Sequence, residues 1–572
     1  MAYYGISRRY YIMSTLFINQ CILVSNSLLV DAPAGKIQGT ELYDYNAEHF
    51  VAFRGIPYAK PPLGDLRFER PQPLEKLESI FDATQPGAEC PTPSLPMFSH
   101  YKNGDEDCLI LNVFMKRMHR PGTMKKVIVF IHGGGFVVGS SIPYIPGTFV
   151  NAHDVIFVTI NYRLGILGFL STEDEVSPGN YGLWDIVLAL RWVKDNIGAF
   201  GGDPNDVTIS GESAGGAAVS YLTLAPQAKF LFKKAYAHSG SATSVFGRST
   251  RARKTALDFA MSVGCLEGEP DASATSTDYS RAVIACLKKL PLAEFTKFQG
   301  FTLDESKFVP RIDGHIVPLD PLVLLNDSDY LRSVGFFDKL HLIAVDNNER
   351  SIMEAHVKLS EMMLSHQLSL SGADAQSMLG ALHDSAKRFY VRMRLQNSSH
   401  SESALKTVES WYERRYGADF LIDLSSDLNF ILPTFDYIEA TTKSDVCKGW
   451  LLYFNHYPQI LKGHRKGIPH GFELLYWFDF PIELMKIYVS DPNIEIMGEE
   501  DLKLKQHFSA IISAFVKTGN PSGPLAENIP ATVPVYDLHQ RSHINFCPSP
   551  TLGSDLEAYK REFWEQLALD YL

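Results

Sequence analysis

The sequence has no excess of positive charge. Its 572 residues include 53 lysines and arginines against 65 aspartates and glutamates, which gives a net charge of −12. A chain of this sign disfavours nucleic acid and anionic membranes as partners. No apolar run after the N-terminal leader is long enough to span a bilayer. We therefore expect no nucleic-acid partner and no stable membrane anchor.

Cysteine patterns typical of metal sites are also missing. None of the seven cysteines shows zinc spacing, and we expect no metal site and no cofactor. Four of them form two pairs that are close in sequence and flank loop-like segments: Cys90 with Cys108, and Cys265 with Cys286. Spacing suggests these pairs without fixing them, because six cysteines can pair in many ways. The pairing of Cys447 and Cys547 stays open.

The N-terminus suggests export. Residues 1–30 are expected to be a signal peptide, because Arg8 and Arg9 precede an apolar stretch. Asn326 and Asn397 each begin an N-x-S/T glycosylation sequon, which suits a secreted chain. We expect a secreted or ER-luminal protein whose residues 31–572 form a single domain.

Strand and helix patterns alternate along the first half of the chain. The segments 127–136 and 155–165 are nearly all apolar, as strands buried on both faces are, whereas 181–200 has helical periodicity. This alternation predicts an α/β fold with a mostly parallel twisted sheet and helices on both faces. A polar, helix-rich region at about 350–440 is expected to be a lid or subdomain.

One serine lies between two glycines where a strand meets a helix. The run "VTISGESAGGAAVSYL" (207–222) reads strand, Gly-x-Ser-x-Gly, helix, which is the pattern of a nucleophile elbow. In such a turn the hydroxyl of Ser213 is exposed above the sheet. Upstream, "HGGGF" (132–136) follows a buried strand, and its glycines can offer unshielded N–H groups to an oxyanion. The two motifs together predict acyl-transfer chemistry.

A base and an acid must complete such a site, and in this fold the acid precedes the histidine. His470 stands out in a loop between Pro469 and Gly471. Glu349 lies just past the end of an apolar strand, where the site residues of open sheets gather. Asp346 lies in the same loop and remains a local alternative for the acid.

These motifs resemble those of the type-B carboxylesterase/cholinesterase family of α/β-hydrolases, over about residues 30–565. The segments that carry the resemblance are "FRGIPYAKPPLGDLRF" (53–68), "EDCLILNV" (106–113), "HGGGF" (132–136), "NYRLGILGFL" (161–170), "GNYGLWDIVLALRWV" (179–193), "FGGDPNDVTISGESAGG" (200–216), "HSGSA" (238–242) and "VPRIDGHIVPLDP" (309–321). The resemblance implies an α/β-hydrolase fold with helical lid insertions.

The resemblance also implies the roles of individual residues. It implies Ser213 as nucleophile, Glu349 as triad acid and His470 as base. It implies oxyanion donors on the backbone of Gly134, Gly135 and Ala214, and it supports the disulfides Cys90–Cys108 and Cys265–Cys286. The substrate implied is a small carboxylic ester, cleaved through an acyl-enzyme.

Several departures bear on which member the chain resembles. Arg350 stands where the family usually has glycine, and the Cys90–Cys108 loop lacks the tryptophan with which cholinesterases hold a quaternary ammonium, leaving Phe98 and Tyr101 as weaker candidates. Juvenile hormone esterases usually have glutamine where this chain has Glu212, which we expect to hold water or to stabilise the imidazolium of the base. A carboxylesterase acting on neutral, apolar esters is therefore favoured. The alternatives are a cholinesterase-like enzyme, a juvenile-hormone-esterase-like enzyme, or a non-catalytic adhesion or scaffold protein.

Overall fold

The computed structural model describes residues 28–93, 104–116, 122, 124–267, 277–297, 308–347, 349, 387–388, 391–395, 401–417, 420–459, 468, 470–480, 497–522 and 532–571. Among the helices in these ranges, none combines the length and the apolar composition needed to cross a membrane. The residues Phe98, Tyr101, Arg350 and Asn397 lie outside the described ranges, as does most of the predicted leader.

Fourteen strands are described. They are β1 (Leu29–Ala32), β2 (Gly35–Gln38), β3 (Thr40–Tyr43), β4 (His49–Pro57), β5 (Phe81–Asp82), β6 (Ile110–Met115), β7 (Lys125–Ile131), β8 (Ile156–Ile160), β9 (Gly202–Glu212), β10 (Lys234–His238), β11 (Leu340–Asp346), β12 (Lys448–Phe454), β13 (His543–Phe546) and β14 (Thr551–Gly553).

Eleven of these strands form one mixed sheet in the order β14-β13-β12-β11-β10-β9-β7-β8-β6-β4-β3. Seven adjacent strands in the middle of the sheet run parallel to one another: β8, β7, β9, β10, β11, β12 and β13. The outer pairs are antiparallel. The predicted α/β fold with a mostly parallel sheet is confirmed. Strands β1, β2 and β5 form a separate small sheet, and β1 includes the last two residues assigned to the leader.

Strand β7 shows why the central strands read as unbroken apolar runs. Val127, Val129 and Ile131 pack into one hydrophobic core, and Ile128 and Phe130 pack into a second core on the opposite face. A strand that is covered on both faces needs an apolar side chain at every position, not at alternate ones.

The helices cover both faces of this sheet. They are α1 (Gly147–His153), α2 (Gly165–Phe169), α3 (Tyr181–Asn196), α4 (Ala214–Leu224), α5 (Ala252–Ser262), α6 (Thr277–Leu287), α7 (Leu292–Lys297), α8 (Pro321–Asn326), α9 (Ser328–Ser333), α10 (Ser401–Tyr416), α11 (Phe420–Ser426), α12 (Leu432–Thr441), α13 (Glu499–Thr518) and α14 (Ala558–Tyr571). Residues of α4 belong to the first core and residues of α13 to the second. Helix α13 ends at Gly519, whose φ of 79° is the left-handed conformation typical of a helix C-terminus.

In the lid region, residues 401–416 and 420–441 are helical as expected. A π-helical segment, Asp427–Ile431, lies between α11 and α12. Such segments are rare in proteins, and many of those known lie at functional sites. It was not predicted, because its sequence has the periodicity of an ordinary helix.

Disulfides join Cys90 to Cys108 and Cys265 to Cys286, with Cα atoms 5.0 and 5.6 Å apart. Cys447 and Cys547 are not bonded to each other; Cys447 is buried and Cys547 is partly exposed. Asn326 is exposed at the end of α8, where its side-chain oxygen accepts a hydrogen bond from Lys443.

Candidate active site

Ser213 occupies a strained turn between β9 and α4. Its φ of 58° and ψ of −122° are a conformation that non-glycine residues rarely adopt. The strain is held by the surrounding backbone: the Ser213 amide donates to the carbonyl of His238, and the Ser213 carbonyl accepts from Ala217. Strain over-determined by its surroundings is characteristic of functional positions.

The glycines on either side of Ser213 allow backbone segments to touch. A Cβ on Gly211 would lie 2.4 Å from the carbonyl carbon and oxygen of Gly215. A Cβ on Gly215 would lie 2.0 Å from the carbonyl oxygen of Ile131, at the end of β7. Both distances are far below van der Waals contact, so any larger residue would force the turn apart. The Gly-x-Ser-x-Gly spacing thus follows from packing of the elbow against β7.

The glycine turn after β7 lies directly beside this elbow. Gly134 and Gly135 have positive φ values of 107° and 63°. A Cβ on Gly133 would lie 3.0 Å from the Cβ of Ser213, and one on Gly134 would lie 2.0 Å from the carbonyl oxygen of Val138. The turn therefore brings bare backbone to the serine, which is the arrangement that an oxyanion-binding site needs.

His132 stabilises the glycine turn. Its buried ring stacks on Tyr162 with 4.5 Å between ring centroids, and its Nδ1 lies 2.8 Å from the carbonyl oxygen of Gly133. Burial lowers the pKa of His132 to about 4, so the ring is neutral at ordinary pH. We assign it a structural role in the turn.

His470 and Glu349 form a buried pair. The Nδ1 atom of His470 lies 2.7 Å from Oε2 of Glu349, whose side chain is fully buried. The other carboxylate oxygen of Glu349 accepts hydrogen bonds from the Ser239 hydroxyl and, at 3.3 Å, from the Asp346 amide. These donors fix the carboxylate, and the carboxylate fixes the orientation of the imidazole.

The second ring nitrogen of His470 points to the elbow. Nε2 lies 3.0 Å from Oε1 of Glu212, the neighbour of Ser213 in the chain. Burial alone would lower the pKa of His470, but the attraction of Glu349 and Glu212 outweighs it and raises the pKa to about 10. Burial raises the pKa of Glu212 above its ordinary value, against the opposing attraction of His470 and His238. The site therefore stabilises a protonated imidazole.

Asp346, the local alternative for the acid, has a different partner. Its Oδ1 lies 2.8 Å from Nε2 of His238, and no direct bond to His470 is described. Asp346 is the last residue of β11 and Glu349 follows three residues later. Of the two, Glu349 is the one hydrogen-bonded to His470.

Sequence reasoning missed several residues around the pair. His238 ends β10, the strand next to β11, and Ser239 follows it; Glu473 lies in a 3-10 helix, Phe472–Tyr476. Two of them follow a parallel strand at the edge where site residues gather, a signal that was available in the sequence. Phe430, in the π-helical segment, places its ring 4.6 Å from that of His470, and nothing in the sequence pattern marks it.

A small apolar pocket of about 20 Å³ lies next to the glycine turn. Its walls include Val137, Leu164, Leu167, Phe295 and Phe308. The amide of Val137 donates to the carbonyl of Gly134, so this wall is tied to the glycine turn. The pocket has room for about one water-sized group.

Comparisons with known proteins identify the family. Residues 26–564 match the model of the carboxylesterase family. The chain is 31% identical to gut esterase 1 of Caenorhabditis briggsae, with 94% of the chain and 92% of the relative covered. It is 30% identical to carboxylesterase 1C of Mus musculus, with 96% and 95% covered. It is 36% identical to the juvenile hormone esterase of Tribolium castaneum, with 81% and 80% covered.

Proposed function

This chain belongs to the carboxylesterase family of α/β-hydrolases and is a carboxylic ester hydrolase, and we propose that it cleaves its ester through an acyl-enzyme formed on Ser213. One observation carries the proposal: the buried hydrogen bond of 2.7 Å between His470 and Glu349, beside the strained turn that holds Ser213. A serine in such a turn, with a histidine oriented by an acid, is the constellation of nucleophilic acyl transfer.

In the first step the Ser213 hydroxyl attacks the ester carbonyl carbon. Nδ1–H of His470 donates a hydrogen bond to Glu349, which leaves the Nε2 lone pair free to take the proton of the attacking hydroxyl. A bond forms between Ser213 Oγ and the acyl carbon, and the carbonyl electrons move to its oxygen. The resulting imidazolium lies between two carboxylates, Glu349 and Glu212.

The negative oxygen of this intermediate binds to backbone amides. We assign this role to the N–H groups of Gly134, Gly135 and Ala214, because the positive φ values of the two glycines leave their backbone unshielded beside the serine. Such donors are fixed before the reaction, so no reorganisation is needed as the charge develops.

His470 then returns its proton to the leaving alcohol, and the carbon–oxygen bond of the ester breaks. Water repeats the sequence on the acyl-enzyme and releases the acid. Glu212 acts on the imidazolium and not on the substrate: its carboxylate faces Nε2 of His470 and stabilises the cation that forms.

The substrate class proposed is a neutral, apolar ester. Support comes from the missing tryptophan in the Cys90–Cys108 loop, which leaves a cationic alcohol group without that aromatic platform. A second candidate is a juvenile hormone ester, which the 36% identity to the beetle enzyme favours and Glu212 disfavours. We also propose secretion or residence in the ER lumen, since the two disulfides and the exposed Asn326 sequon suit an oxidising compartment.

Rapid-mixing kinetics test the proposal. With p-nitrophenyl butyrate we expect a burst of one equivalent of p-nitrophenol before the steady state, since acylation releases the alcohol before water releases the acid. Ser213→Ala should abolish the burst and leave the circular dichroism spectrum unchanged. A folded Ser213→Ala protein with a full burst would refute the acyl-enzyme on this serine.

A further inference from the structure

A second buried histidine–acid pair lies behind the first one. His238 ends β10, Asp346 ends the neighbouring strand β11, and Glu473 reaches them from the 3-10 helix that follows His470 in the chain. All three residues are at most 2% exposed, and the ligand-type atoms they offer lie within 4.8 Å of one another. The proposed catalytic mechanism uses none of them.

Both ring nitrogens of His238 have polar neighbours in this cluster. The Tyr236 hydroxyl lies 2.8 Å from Nδ1 of His238, and Oδ1 of Asp346 lies 2.8 Å from Nε2. Nδ1 also lies 3.5 Å from Oε1 of Glu473, so the ring stands between the two carboxyl groups.

The two carboxyl groups then need a proton of their own. Oδ2 of Asp346 and both oxygens of Glu473 have no hydrogen-bond donor among the described residues. Ionised carboxylates only accept, so two facing carboxylates cannot bond until one of them is protonated. Burial raises the pKa of Asp346 and of Glu473 well above their ordinary values, and repulsion from Glu349 at Asp346 and from Asp346 at Glu473 adds to this effect. A single shared proton joins Oδ2 of Asp346 to one oxygen of Glu473 and gives both atoms a hydrogen bond.

A metal ion is a poorer occupant of the cluster. It would need the Asp346 oxygen that His238 already holds at a hydrogen-bond distance of 2.8 Å. It would also have to compete with the Tyr236 hydroxyl for the other ring nitrogen. A proton requires no such rearrangement.

We propose that His238, Asp346 and Glu473 form a proton-sharing cluster that holds one negative charge, not two, behind the catalytic pair. The inference rests on the proposed function and adds to it three positioning residues. The cluster acts at two points: the Asp346 amide donates to Glu349, and the charge of Asp346 acts on His470. The charged groups that face His470 are Glu349, Glu212 and this cluster. The cluster's charge therefore helps to set the pH at which His470 becomes a base.

Single and double variants distinguish one shared charge from two. In Glu473→Gln the amide donates to Asp346, and in Asp346→Asn the charge passes to Glu473, so each variant keeps one negative charge. The double variant keeps none. Without an anion behind it the imidazolium of His470 is less stable, its pKa falls, and the acid limb of kcat/KM moves to lower pH.

The assay is kcat/KM against pH with p-nitrophenyl butyrate. We expect each single variant to move the acid limb by less than about 0.3 pH unit and the double variant to move it down by about 1 unit. Two independent charges would instead give equal shifts in the single variants that add in the double variant, and this result would overturn the proposal. An unshifted double variant would also overturn it, as would activity lost to a chelator and restored by a divalent metal.

A second measurement keeps the proposal testable if the double variant does not fold. The infrared C=O band of a protonated carboxylic acid should be present in the wild-type protein at pH 8 and diminished in Glu473→Gln. An unchanged band would contradict the shared proton. The matched control is Asp501→Asn, which disrupts another buried trio with His456 and Tyr476 and should lower thermal stability without moving the acid limb.

Failure of the proposed function would look different from failure of this inference. If the wild-type enzyme gives neither a burst nor an acid limb, the catalytic assignment is wrong. A normal burst and limb, with no shift in the double variant, would refute only the proton-sharing cluster.

Discussion

Replacing Glu349 by glutamine should disable the base without removing any atom that packs the site. The glutamine oxygen can replace only one of the two carboxylate oxygens. If it faces Ser239 and the Asp346 amide, its NH₂ group faces Nδ1 of His470, which must then accept a hydrogen bond. The proton of the ring moves to Nε2, and the ring can no longer take the proton of Ser213.

The opposite amide orientation is no better. The oxygen then keeps its hydrogen bond to His470, but the NH₂ group faces the backbone N–H of Asp346. Two donors cannot bond to each other, so both are left unsatisfied in a fully buried position. In either orientation the negative charge that stabilises the imidazolium is lost. Loss of a correctly ionised triad acid costs about three to four powers of ten in kcat, or roughly 4–5.5 kcal/mol in the barrier.

Steady-state hydrolysis of p-nitrophenyl butyrate measures this effect, with circular dichroism to verify the fold. The matched control is Asp346→Asn, three residues away at the end of the same strand, which should lose less than about tenfold in kcat because its partner is His238. If Asp346→Asn loses the larger share and Glu349→Gln stays active, the acid is Asp346 and the pair described here is wrong.

Three further predictions test the elbow, the substrate class and the compartment. Gly215→Ala should lower the yield and the midpoint of thermal unfolding, because its Cβ would lie 2.0 Å from the Ile131 carbonyl oxygen, whereas Gly198→Ala, with nothing within 4 Å, should not. A neutral butyrate ester should be hydrolysed at least as well as butyrylcholine. Without the tryptophan, the choline group loses a cation–π attraction of about 2 kcal/mol, which corresponds to roughly thirtyfold in binding. A clear preference for the choline ester would contradict this. Protein from a eukaryotic secretory host should lose mass on treatment with an N-glycosidase at Asn326 and Asn397, and an unglycosylated secreted product would contradict the sequon assignment.

The central sheet could be predicted from the sequence because burial on both faces leaves an unambiguous pattern. Strands β7, β8 and β11 coincide with runs of apolar residues; the glycine turn follows β7, and Glu349 follows β11. The edge strands β3 and β14 have no such pattern, because they are only partly covered. The antiparallel strand β6 is buried at every position, so its run could have been recognised in the sequence.

The candidate site could be predicted only in part. Ser213 and the glycine turn are marked by local constraints, namely a strained turn and close backbone approach, and such constraints appear in the sequence as glycines at fixed spacing. The choice between Asp346 and Glu349 depends on which histidine each one meets. That is decided by the neighbouring strands and by the 3-10 helix after His470, which no local pattern encodes.

The π-helical segment and the proton-sharing cluster illustrate the same limit. Phe430 approaches His470 because one extra residue is accommodated in a helical turn, and the composition of that turn is ordinary. His238 and Glu473 are far apart in the chain and meet only through the order of the strands.

The most direct test of the account is titration with an organophosphate ester, read out by intact mass and peptide mapping. We predict one phosphoryl group per chain, attached to Ser213, with activity lost in proportion to labelling, and no labelling of a folded Ser213→Ala variant. Stoichiometric labelling at another residue, or full activity in that variant, would contradict the assignment of Ser213 as the nucleophile.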